Sequence, residues 1–304
     1  MPELPEVETV ARELEPKVAG ATITAATIHW DRTIRYPQPP ERFVAEVEGA
    51  TIARVDRRAK TVLMHLDDGR VLTVALRMTG ALIVAPSGTP ADPYARVVFS
   101  LADGRELRYR DVRKFGRIGL WPGGGLRSVG AGRGARSKRI TEGERRYRIG
   151  EVFSGHGPEP LGRGFSAERL QERLSRRSAK LKTLLLDQSF IAGVGNIYAD
   201  EALWRARLHP LRAADTLEPA EVRRLHRSIR SVLRQGIANR GSSLNDYVAP
   251  DGSRGDNAER LAVYRRTEQP CYRCGRPIRR IVVGQRSTHF CPRCQPEPVG
   301  SDRP

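Results

Sequence analysis

Cysteine, aromatic residues and long apolar runs are all scarce in this 304-residue sequence. Its four cysteines lie between positions 271 and 294, so residues 1–270 cannot contain a disulfide. No apolar run approaches the roughly 18 residues of a membrane-spanning helix. The first residues, MPELPEVE, are acidic where a secretory signal would be basic and then apolar. We therefore expect a cytoplasmic protein that does not associate with a membrane.

Lysine and acidic residues are also scarce beside arginine. Only six of the 53 basic residues are lysine, and the 35 acidic residues leave a formal net charge of +18. A balance this basic favours a polyanionic partner. Because arginine is the side chain suited to bidentate contact with phosphate, the few lysines stand out.

Local patterns predict an amino-terminal helix followed by strands. Apolar residues recur at helical spacing from Leu4 to Val18, and Gly20 follows as a stop signal. The next hundred residues contain short β-branched runs, with hairpin turns predicted at Asp68-Gly69 and Asp103-Gly104. This number of strands favours a sandwich or a barrel behind the first helix.

The second half of the chain shows a different pattern. Residues 122–150 are rich in Gly and Arg and show no periodicity, which indicates a flexible basic insert. Helical periodicity begins near Ser166 and continues to Ala238. Residues 261–294 are predicted to form a small β unit around the cysteines.

The cysteines follow the pattern C-x2-C-x16-C-x2-C, formed by Cys271, Cys274, Cys291 and Cys294. Two thiolate pairs at this spacing can close a tetrahedral zinc site, and so short a segment would hardly fold without one. Four thiolates leave no open position for catalysis, so one structural Zn²⁺ is predicted. Two alternatives are reduced thiols in a small ribbon and His289 as a substitute ligand. Arg286 lies beside the predicted hairpin tip between the pairs, where it could enter a groove.

The amino terminus offers a possible nucleophile. Removal of Met1 would expose the secondary amine of Pro2 at the start of a helix, whose partial positive charge favours the neutral amine. Such an amine could attack a sugar carbon and form an iminium. The structural alternative is that Pro2 merely starts the helix and that Glu3 and Glu6 suit its first turn.

Two further segments could bind phosphate. Lys60 lies in an apolar stretch predicted as a strand, where a surface lysine is the plain alternative. Asn196 is predicted to cap a helix after a Gly-containing turn, which would present backbone amides to an anion. An ordinary helical hairpin turn with Gly193 and Gly195 for close packing explains the same letters.

Together these segments closely resemble the formamidopyrimidine-DNA glycosylases, bacterial enzymes that excise oxidised purines. The resemblance spans almost the whole chain, and it is carried by MPELPEVETV, RRAK, RDVRKFGR, GPEPL, residues 184–203 and the four-cysteine unit. It implies an α+β multidomain protein with an amino-terminal β-sandwich and flanking helix, a helix–two-turn–helix domain and a zinc finger. The expected ranges are 1–122 for the catalytic domain, 123–165 for the insert and linker, 166–260 for the helical domain with a lesion-covering loop, and 261–297 for the zinc finger.

The resemblance also implies a role for each matching residue. Pro2 matches the nucleophile, Glu3 the acid/base that protonates the opening deoxyribose, and Glu6 a supporting carboxylate. Lys60 matches the lysine on the lesion-side phosphate, and Asn196 and Arg286 match two further phosphate-binding residues. The residues that fill the hole left by the extruded nucleotide are matched by Met78, Arg113 and Phe115, with Arg113 also reading the opposite cytosine.

Three departures from the family pattern stand out. Asp256-Asn257 replaces an aromatic pair that many relatives carry in the lesion-covering loop. The sequence therefore predicts the damaged base that is preferred less firmly than it predicts the reaction. The usual VYGR becomes Val263-Tyr264-Arg265-Arg266. The insert is longer than usual, and extra electrostatic attachment to DNA is the only role that we assign to it.

The predicted protein is therefore a bifunctional DNA glycosylase and abasic-site lyase. It would act on oxidised purines in double-stranded DNA by β,δ-elimination through an imino intermediate, as a monomer in the bacterial cytoplasm. One alternative is an endonuclease VIII-like enzyme for oxidised pyrimidines, against which the LPEVE start and the residues that fill the hole argue. Another is a non-catalytic lesion-binding protein on the same scaffold, which would need neither Pro2 nor Glu3.

Overall fold

Two units make up the chain in the computed structural model, which describes residues 1–123, 149–242 and 255–297. The first unit comprises residues 1–155 and 239–256, and the second comprises residues 156–238 and 257–304. Most of the Gly/Arg-rich insert, and residues 243–254 in the segment before Asp256-Asn257, lie outside the described residues.

The first unit is a two-sheet structure with flanking helices. Its elements are α1 (Leu4–Val18), β1 (Ile23–Ile28), β2 (Ile34–Tyr36), α2 (Pro40–Val47), β3 (Ile52–Arg58), β4 (Thr61–Leu66), β5 (Val71–Ala75), β6 (Gly80–Pro86), β7 (Ala95–Leu101), β8 (Arg105–Asp111), β9 (Arg117–Trp121) and α3 (Ile149–Val152). The four-stranded sheet has the order β1-β7-β8-β6, and the five-stranded sheet has the order β2-β9-β5-β4-β3. All neighbouring strands are antiparallel except the pair β2 and β9.

One hydrophobic core joins both sheets to α1 and α2. Val7 and Leu14 of the first helix, Phe43 of the second and Phe99 of β7 are fully buried in it together with Val74 of β5. Because side chains from both sheets meet in this core, the first unit is a β-sandwich, as the resemblance implied, and the barrel alternative is wrong.

Local sequence signals account for much of this unit. The first helix has the predicted bounds, and Gly20 follows it with φ +83°. Both predicted hairpins are confirmed, with Gly69 at φ +83° between β4 and β5 and Gly104 at φ +79° between β7 and β8. One placement was wrong. Lys60 lies in the tight turn between β3 and β4 rather than within a strand, because Ala59 takes a left-handed conformation with φ +53°.

The second unit contains the predicted helices and the β unit near the cysteines. Its elements are α4 (Ala167–Leu174), α5 (Leu181–Leu186), α6 (Asn196–Ala206), α7 (Pro219–Ala238), β10 (Arg279–Val283) and β11 (Arg286–Phe290). The helix α7 packs against α6 and α4, with Leu225, Ile229 and Leu233 buried along one face. The strands β10 and β11 form an antiparallel hairpin around Gly284-Gln285, as predicted.

Among the described helices, none combines the length and the apolar character that crossing a bilayer requires.

Candidate nucleic-acid interface

The start of α1 holds two acidic side chains in a reciprocal arrangement. The backbone N–H of Glu3 donates to Glu6 Oε2 over 2.8 Å, and the Glu3 carboxylate accepts from the Glu6 backbone. Such a capping box satisfies two amide groups that the first helical turn would otherwise leave without partners. Pro2, Glu3 and Glu6 are all buried, so the structure brings these three predicted residues together at one helix end.

Glu6 also holds a distant segment of the same unit. Its Oε1 accepts a hydrogen bond of 2.8 Å from the backbone N–H of Ser242. Gly241 makes this approach possible, because a Cβ at that position would lie 2.8 Å from Glu6 Cγ and the residue adopts φ +82°. Sequence reasoning missed this contact, and the only local signal was a glycine in a polar loop.

The segment that Glu6 holds pairs with the chain at residues 255–256. The backbone N–H of Asp256 donates to the carbonyl oxygen of Asn239 over 3.0 Å, and Ser242 forms an isolated β-bridge with Asp256. A Cβ at Gly255 would overlap the carbonyl oxygens of Arg240 and Gly241, so only glycine fits there. This closely paired stem connects to residues 243–254, which lie outside the described residues.

A charged contact ties the Lys60 turn to α1. Arg57 on β3 donates from Nε to Glu8 Oε2 over 2.8 Å and from Nη1 to the carbonyl oxygen of Ala59 over 3.3 Å. Its side chain is only 8% exposed, so this contact is well shielded from water. Lys60 is itself half-buried at the turn. The arrangement places a lysine at a position set by the first helix.

Three side chains expected to enter a duplex lie on two loops of the first unit. Met78 and Phe115 are 39% and 49% exposed, although large apolar side chains are usually buried. The Arg113 guanidinium carbon lies 4.9 Å from the centre of the Phe115 ring, in a cation–π contact. Since Arg113 is also exposed, one charged and two apolar groups project from these loops.

Asp111, at the end of β8, connects the two loops. Its carboxylate accepts a hydrogen bond from Oγ1 of Thr79, the residue after Met78. It also accepts from the backbone N–H of Gly116 over 2.7 Å and from that of Arg113 over 3.2 Å. Asp111 is 1% exposed, so both loops are anchored to one buried carboxylate. Sequence reasoning did not identify this residue or Thr79.

Tyr109 completes this anchor. Its hydroxyl donates to Asp111 Oδ2 over 3.3 Å, and burial together with the nearby Asp111 charge raises its pKa well above the ordinary value. A Cβ at Gly116 would overlap that hydroxyl, which explains the glycine after Phe115. The phenol therefore stays a neutral donor beneath the loops.

Asn196, in the second unit, differs from the prediction. It is the first residue of α6, and the residue at the capping position is Gly195. The Asn196 side chain instead donates from Nδ2 to the carbonyl oxygen of Ser287 over 2.8 Å. The expected cap is therefore wrong, because the amide reaches across to β11 rather than back to its own helix. Arg286, the neighbour of Ser287, is exposed.

Gln188 holds the turn before α6. Its Nε2 donates to the carbonyl oxygen of Val194 over 2.8 Å, and its Oε1 accepts from the backbone N–H of Gly193 over 2.9 Å. Gly193 has φ +83°, a left-handed conformation that glycine adopts at the lowest cost. The turn is therefore braced by one side chain, and it sets where the amino end of α6 begins.

The four cysteines form a cluster with the dimensions of a zinc site. Their sulfur atoms lie within 4.8 Å of one another, with Cys271–Cys294 at 4.0 Å and Cys274–Cys291 at 3.4 Å. Tetrahedral Zn–S bonds of about 2.3 Å place the sulfur atoms about 3.8 Å apart, so the cluster fits one ion. The His289 alternative is wrong, because the cluster found among the described residues consists of the four cysteines without His289, whose Nδ1 instead lies 3.2 Å from Asp200 Oδ2.

Trp204 on α6 supports this cluster and was not predicted from sequence. Its indole Nε1–H donates to Cys271 Sγ over 3.4 Å. The Arg273 guanidinium carbon lies 3.8 Å from the centre of the indole ring. An N–H group directed at a ligand sulfur stabilises the thiolate form that zinc requires.

Two departures from the family pattern have structural consequences. Asn257 is 2% exposed, and its Nδ2 lies 3.4 Å from the Tyr198 hydroxyl, so its side chain is part of the second unit's interior. Arg265 has φ +60°, a left-handed conformation that the glycine of the usual pattern would adopt at lower cost.

Comparison with known proteins gives one consistent result. Three protein-family models match the chain. The family model of the formamidopyrimidine-DNA glycosylase N-terminal domain matches residues 1–118, and that of the H2TH domain of the same enzymes matches residues 156–248. The family model of a zinc finger found in FPG and IleRS matches residues 268–296. The "Formamidopyrimidine-DNA glycosylase" of Herpetosiphon aurantiacus is 45% identical over 296 residues, which cover 97% of this chain and 100% of that protein.

Solved structures are similar over the same length. A Lactococcus lactis protein of this name, a variant in complex with DNA that contains Fapy-dG, is 34% identical with a TM-score of 0.83. The same protein in complex with DNA that contains an abasic site gives the same identity and TM-score. Both comparisons cover 97% of this chain and 100% of the other.

Proposed function

Because the chain belongs to the formamidopyrimidine-DNA glycosylase family, we propose that it excises oxidised purines from double-stranded DNA with Pro2 as its nucleophile. The chain is a base-excision DNA glycosylase, and abasic-site lyase activity is typical of its family. Its zinc finger holds one structural zinc ion through the four cysteines. The assignment of individual residues is our own proposal.

The observation that carries this proposal is the buried acidic pair beside Pro2. Glu3 is 3% exposed and Glu6 is 1% exposed, and each is held by the backbone of the other. With Met1 removed, the Pro2 amine would lie at the positive end of α1, where the neutral form that attacks carbon is favoured. A carboxyl group next in sequence is placed to move protons at the same carbon.

The chemistry follows from these two groups. The Pro2 nitrogen bonds to the sugar C1′ as the bond from C1′ to the damaged base breaks, and the base leaves with a proton. Glu3 protonates the ring oxygen as the sugar opens, which leaves an iminium between Pro2 and C1′. The iminium acidifies the neighbouring carbon, so successive proton losses expel the 3′ and then the 5′ phosphate. Hydrolysis of the iminium returns the free amine.

The exposed loops carry side chains suited to the gap that an extruded nucleotide leaves in the duplex. A nucleotide that leaves the stack loses a few kcal/mol of stacking and pairing, and apolar side chains in the gap compensate part of it. Met78 and Phe115 are proposed to fill that gap, and Arg113 to contact the base opposite. Lys60 in the first unit, and Asn196 and Arg286 in the second, are proposed to bind phosphates around the lesion.

Two broader points belong to the same proposal. Relatives with this name are bacterial, which supports a bacterial protein that works on DNA in the cytoplasm, and we propose that it acts as a monomer. The boundaries at 122/123, 165/166 and 260/261 remain our proposed limits for the domains and the linker. The comparisons favour neither the endonuclease VIII-like alternative nor the non-catalytic one.

Borohydride trapping tests the assignment directly. The protein is incubated with duplexes that contain 8-oxoguanine or dihydrouracil, and reduction of the iminium leaves a covalent adduct. We expect an adduct mainly with 8-oxoguanine, and almost none from Pro2→Gly, which should still bind lesion DNA. Pro5→Gly is the matched control, since it also removes a proline from the start of α1. Normal trapping by Pro2→Gly, or intact mass that shows retained Met1, would contradict the proposal.

A further inference from the structure

Three ionisable side chains form a buried network in the second unit. Lys182 Nζ donates to Asp200 Oδ1 over 2.6 Å, and the other oxygen, Oδ2, lies 3.2 Å from His289 Nδ1. Lys182, Asp200 and His289 are 0%, 1% and 4% exposed. Sequence reasoning did not identify Lys182 or Asp200, and it considered His289 only as a substitute zinc ligand.

The network joins three elements that lie far apart in the sequence. Lys182 is on α5, Asp200 is on α6 and His289 is on β11, the second strand of the zinc-finger hairpin. Asp200 Oδ2 also accepts a hydrogen bond of 2.8 Å from the backbone N–H of His289, which fixes the strand itself. The carboxylate therefore holds α5 through one oxygen and β11 through the other.

A buried ion pair of this kind is weak evidence for stability. Desolvation of the two charges offsets much of their attraction, and apolar pairs of similar volume are often at least as stable. Removing one partner alone is strongly destabilising, because it leaves a buried charge without compensation. In some proteins such buried polar groups fix the register or the relative position of the elements that they join.

The elements that are joined carry the two proposed phosphate ligands of this unit. Lys182 Nζ donates a second hydrogen bond, of 3.0 Å, to the carbonyl oxygen of Asn196. The Asn196 side chain in turn donates to the carbonyl oxygen of Ser287, the residue beside Arg286. Asn196 is therefore linked to β11 by its own amide, and both ends of that link are connected to the Asp200 carboxylate.

We propose that Asp200 is a positioning residue, which with Lys182 fixes the separation of Asn196 and Arg286 so that both bind DNA phosphate together. This inference rests on the proposed function. Asp200 is buried and would not touch DNA itself. Its effect on binding would pass through the amino end of α6 on one side and the backbone of β11 on the other.

The test is a double-mutant cycle on DNA binding. The ion pair is replaced by apolar residues in Lys182→Met/Asp200→Leu, with and without Arg286→Ala, and Kd for a duplex with an uncleavable abasic-site analogue is measured across salt concentrations. We expect the apolar variant to raise Kd about tenfold and to lower the salt slope by about one, as if the Arg286 contact were lost. Adding Arg286→Ala should then change little.

The exposed pair Glu172 and Arg176 provides a matched control. This ion pair of 2.7 Å joins Glu172 on α4 to Arg176 just beyond the end of that helix, and Glu172→Leu/Arg176→Met removes one positive and one negative charge without touching the network. The control should leave Kd and slope as in the wild type. Full additivity between the apolar variant and Arg286→Ala would overturn the proposal, because a merely structural role would not change the contribution of Arg286.

A second variant covers the case in which the apolar pair does not fold. Asp200→Asn keeps the size and one acceptor oxygen, and we expect a smaller rise in Kd with a lower salt slope. An unchanged slope in a folded, zinc-loaded Asp200→Asn protein would equally overturn the proposal. Trapping is scored separately, since failure of the wild type to form an adduct contradicts the proposed function and leaves the binding cycle interpretable.

Discussion

The carboxylate of Glu6 accepts a hydrogen bond of 2.8 Å from the backbone N–H of Ser242, 236 residues further along the chain. The other oxygen of the same carboxylate accepts from the backbone N–H of Glu3. One side chain thus links the helix end that carries Pro2 to the stem of residues 239–242 and 255–256. A change in that stem should therefore alter the chemistry at Pro2.

Gly241→Ala tests this link. The new Cβ would lie too close to Glu6 Cγ. The alanine would also have to keep the left-handed backbone conformation of Gly241, which costs about 1–2 kcal/mol. Gly104→Ala is the control, since Gly104 has φ +79° with nothing within 4 Å. Both variants should lose stability in urea unfolding, but only Gly241→Ala should slow borohydride trapping. Equal trapping rates would show that Glu6 does not transmit the change.

Thr79→Val should loosen the two exposed loops. The change removes the hydroxyl that donates to Asp111 and leaves a buried carboxylate less satisfied, at a cost of roughly 1–3 kcal/mol. Thr73→Val is the control, because it also removes a buried hydroxyl, one that donates to the carbonyl oxygen of Gly119 over 3.1 Å. Single-turnover excision should fall several-fold more for Thr79→Val than for Thr73→Val. Similar decreases in excision rate for the two variants would show that Asp111 has only a structural role.

Arg113→Ala should weaken discrimination of the base opposite the lesion. Cytosine offers acceptors at O2 and N3 to a guanidinium, whereas adenine places an amino donor on that edge, so the mismatch should cost about 1–3 kcal/mol. Excision opposite cytosine and opposite adenine is measured for the wild type and the variant. We expect the ratio of the two excision rates to decrease by a larger factor than the affinity for an abasic duplex does. If both rates drop in parallel with the ratio intact, Arg113 only fills the gap.

The three proposed phosphate ligands should be distinguishable by their charge. Lys60→Ala and Arg286→Ala each remove one charged contact, so each should raise Kd for all duplexes and lower the salt slope by about one. Asn196→Ala removes a neutral contact and should raise Kd with the slope nearly unchanged. Fluorescence anisotropy at several salt concentrations provides both quantities. An unchanged slope for Arg286→Ala would count against its role.

Zinc should leave Trp204→Phe faster than it leaves the wild type. The variant keeps an aromatic ring but loses the N–H directed at Cys271 Sγ. Loss of such an outer partner typically weakens metal affinity by about 10–100-fold. Release to a chelator is followed with a zinc dye, with Trp121→Phe in the first unit as the control.

Cys291→Ser should lose the metal and DNA binding while the amino-terminal sandwich stays folded. Full activity in protein that contains well under one equivalent of zinc would contradict this prediction.

The sequence alone determined the features that depend on neighbouring residues. The bounds of α1, the two Asp-Gly hairpins and the hairpin at Gly284-Gln285 follow from periodicity and turn chemistry within a few residues. The zinc site could also be predicted from the sequence, because four thiolates at that spacing in so small a segment are typical of a structural zinc site.

Only the tertiary structure decided which distant groups meet. Thr79 and Asp111 are 32 residues apart, Trp204 and Cys271 are 67 apart, and neither pair shares a motif. Asn196 looked like a helix cap because its own neighbours suit one, yet its amide pairs with Ser287, 91 residues away. Local letters specify turns and helix starts through short-range sterics, whereas a side chain's hydrogen-bond partner depends on which elements the buried core brings together.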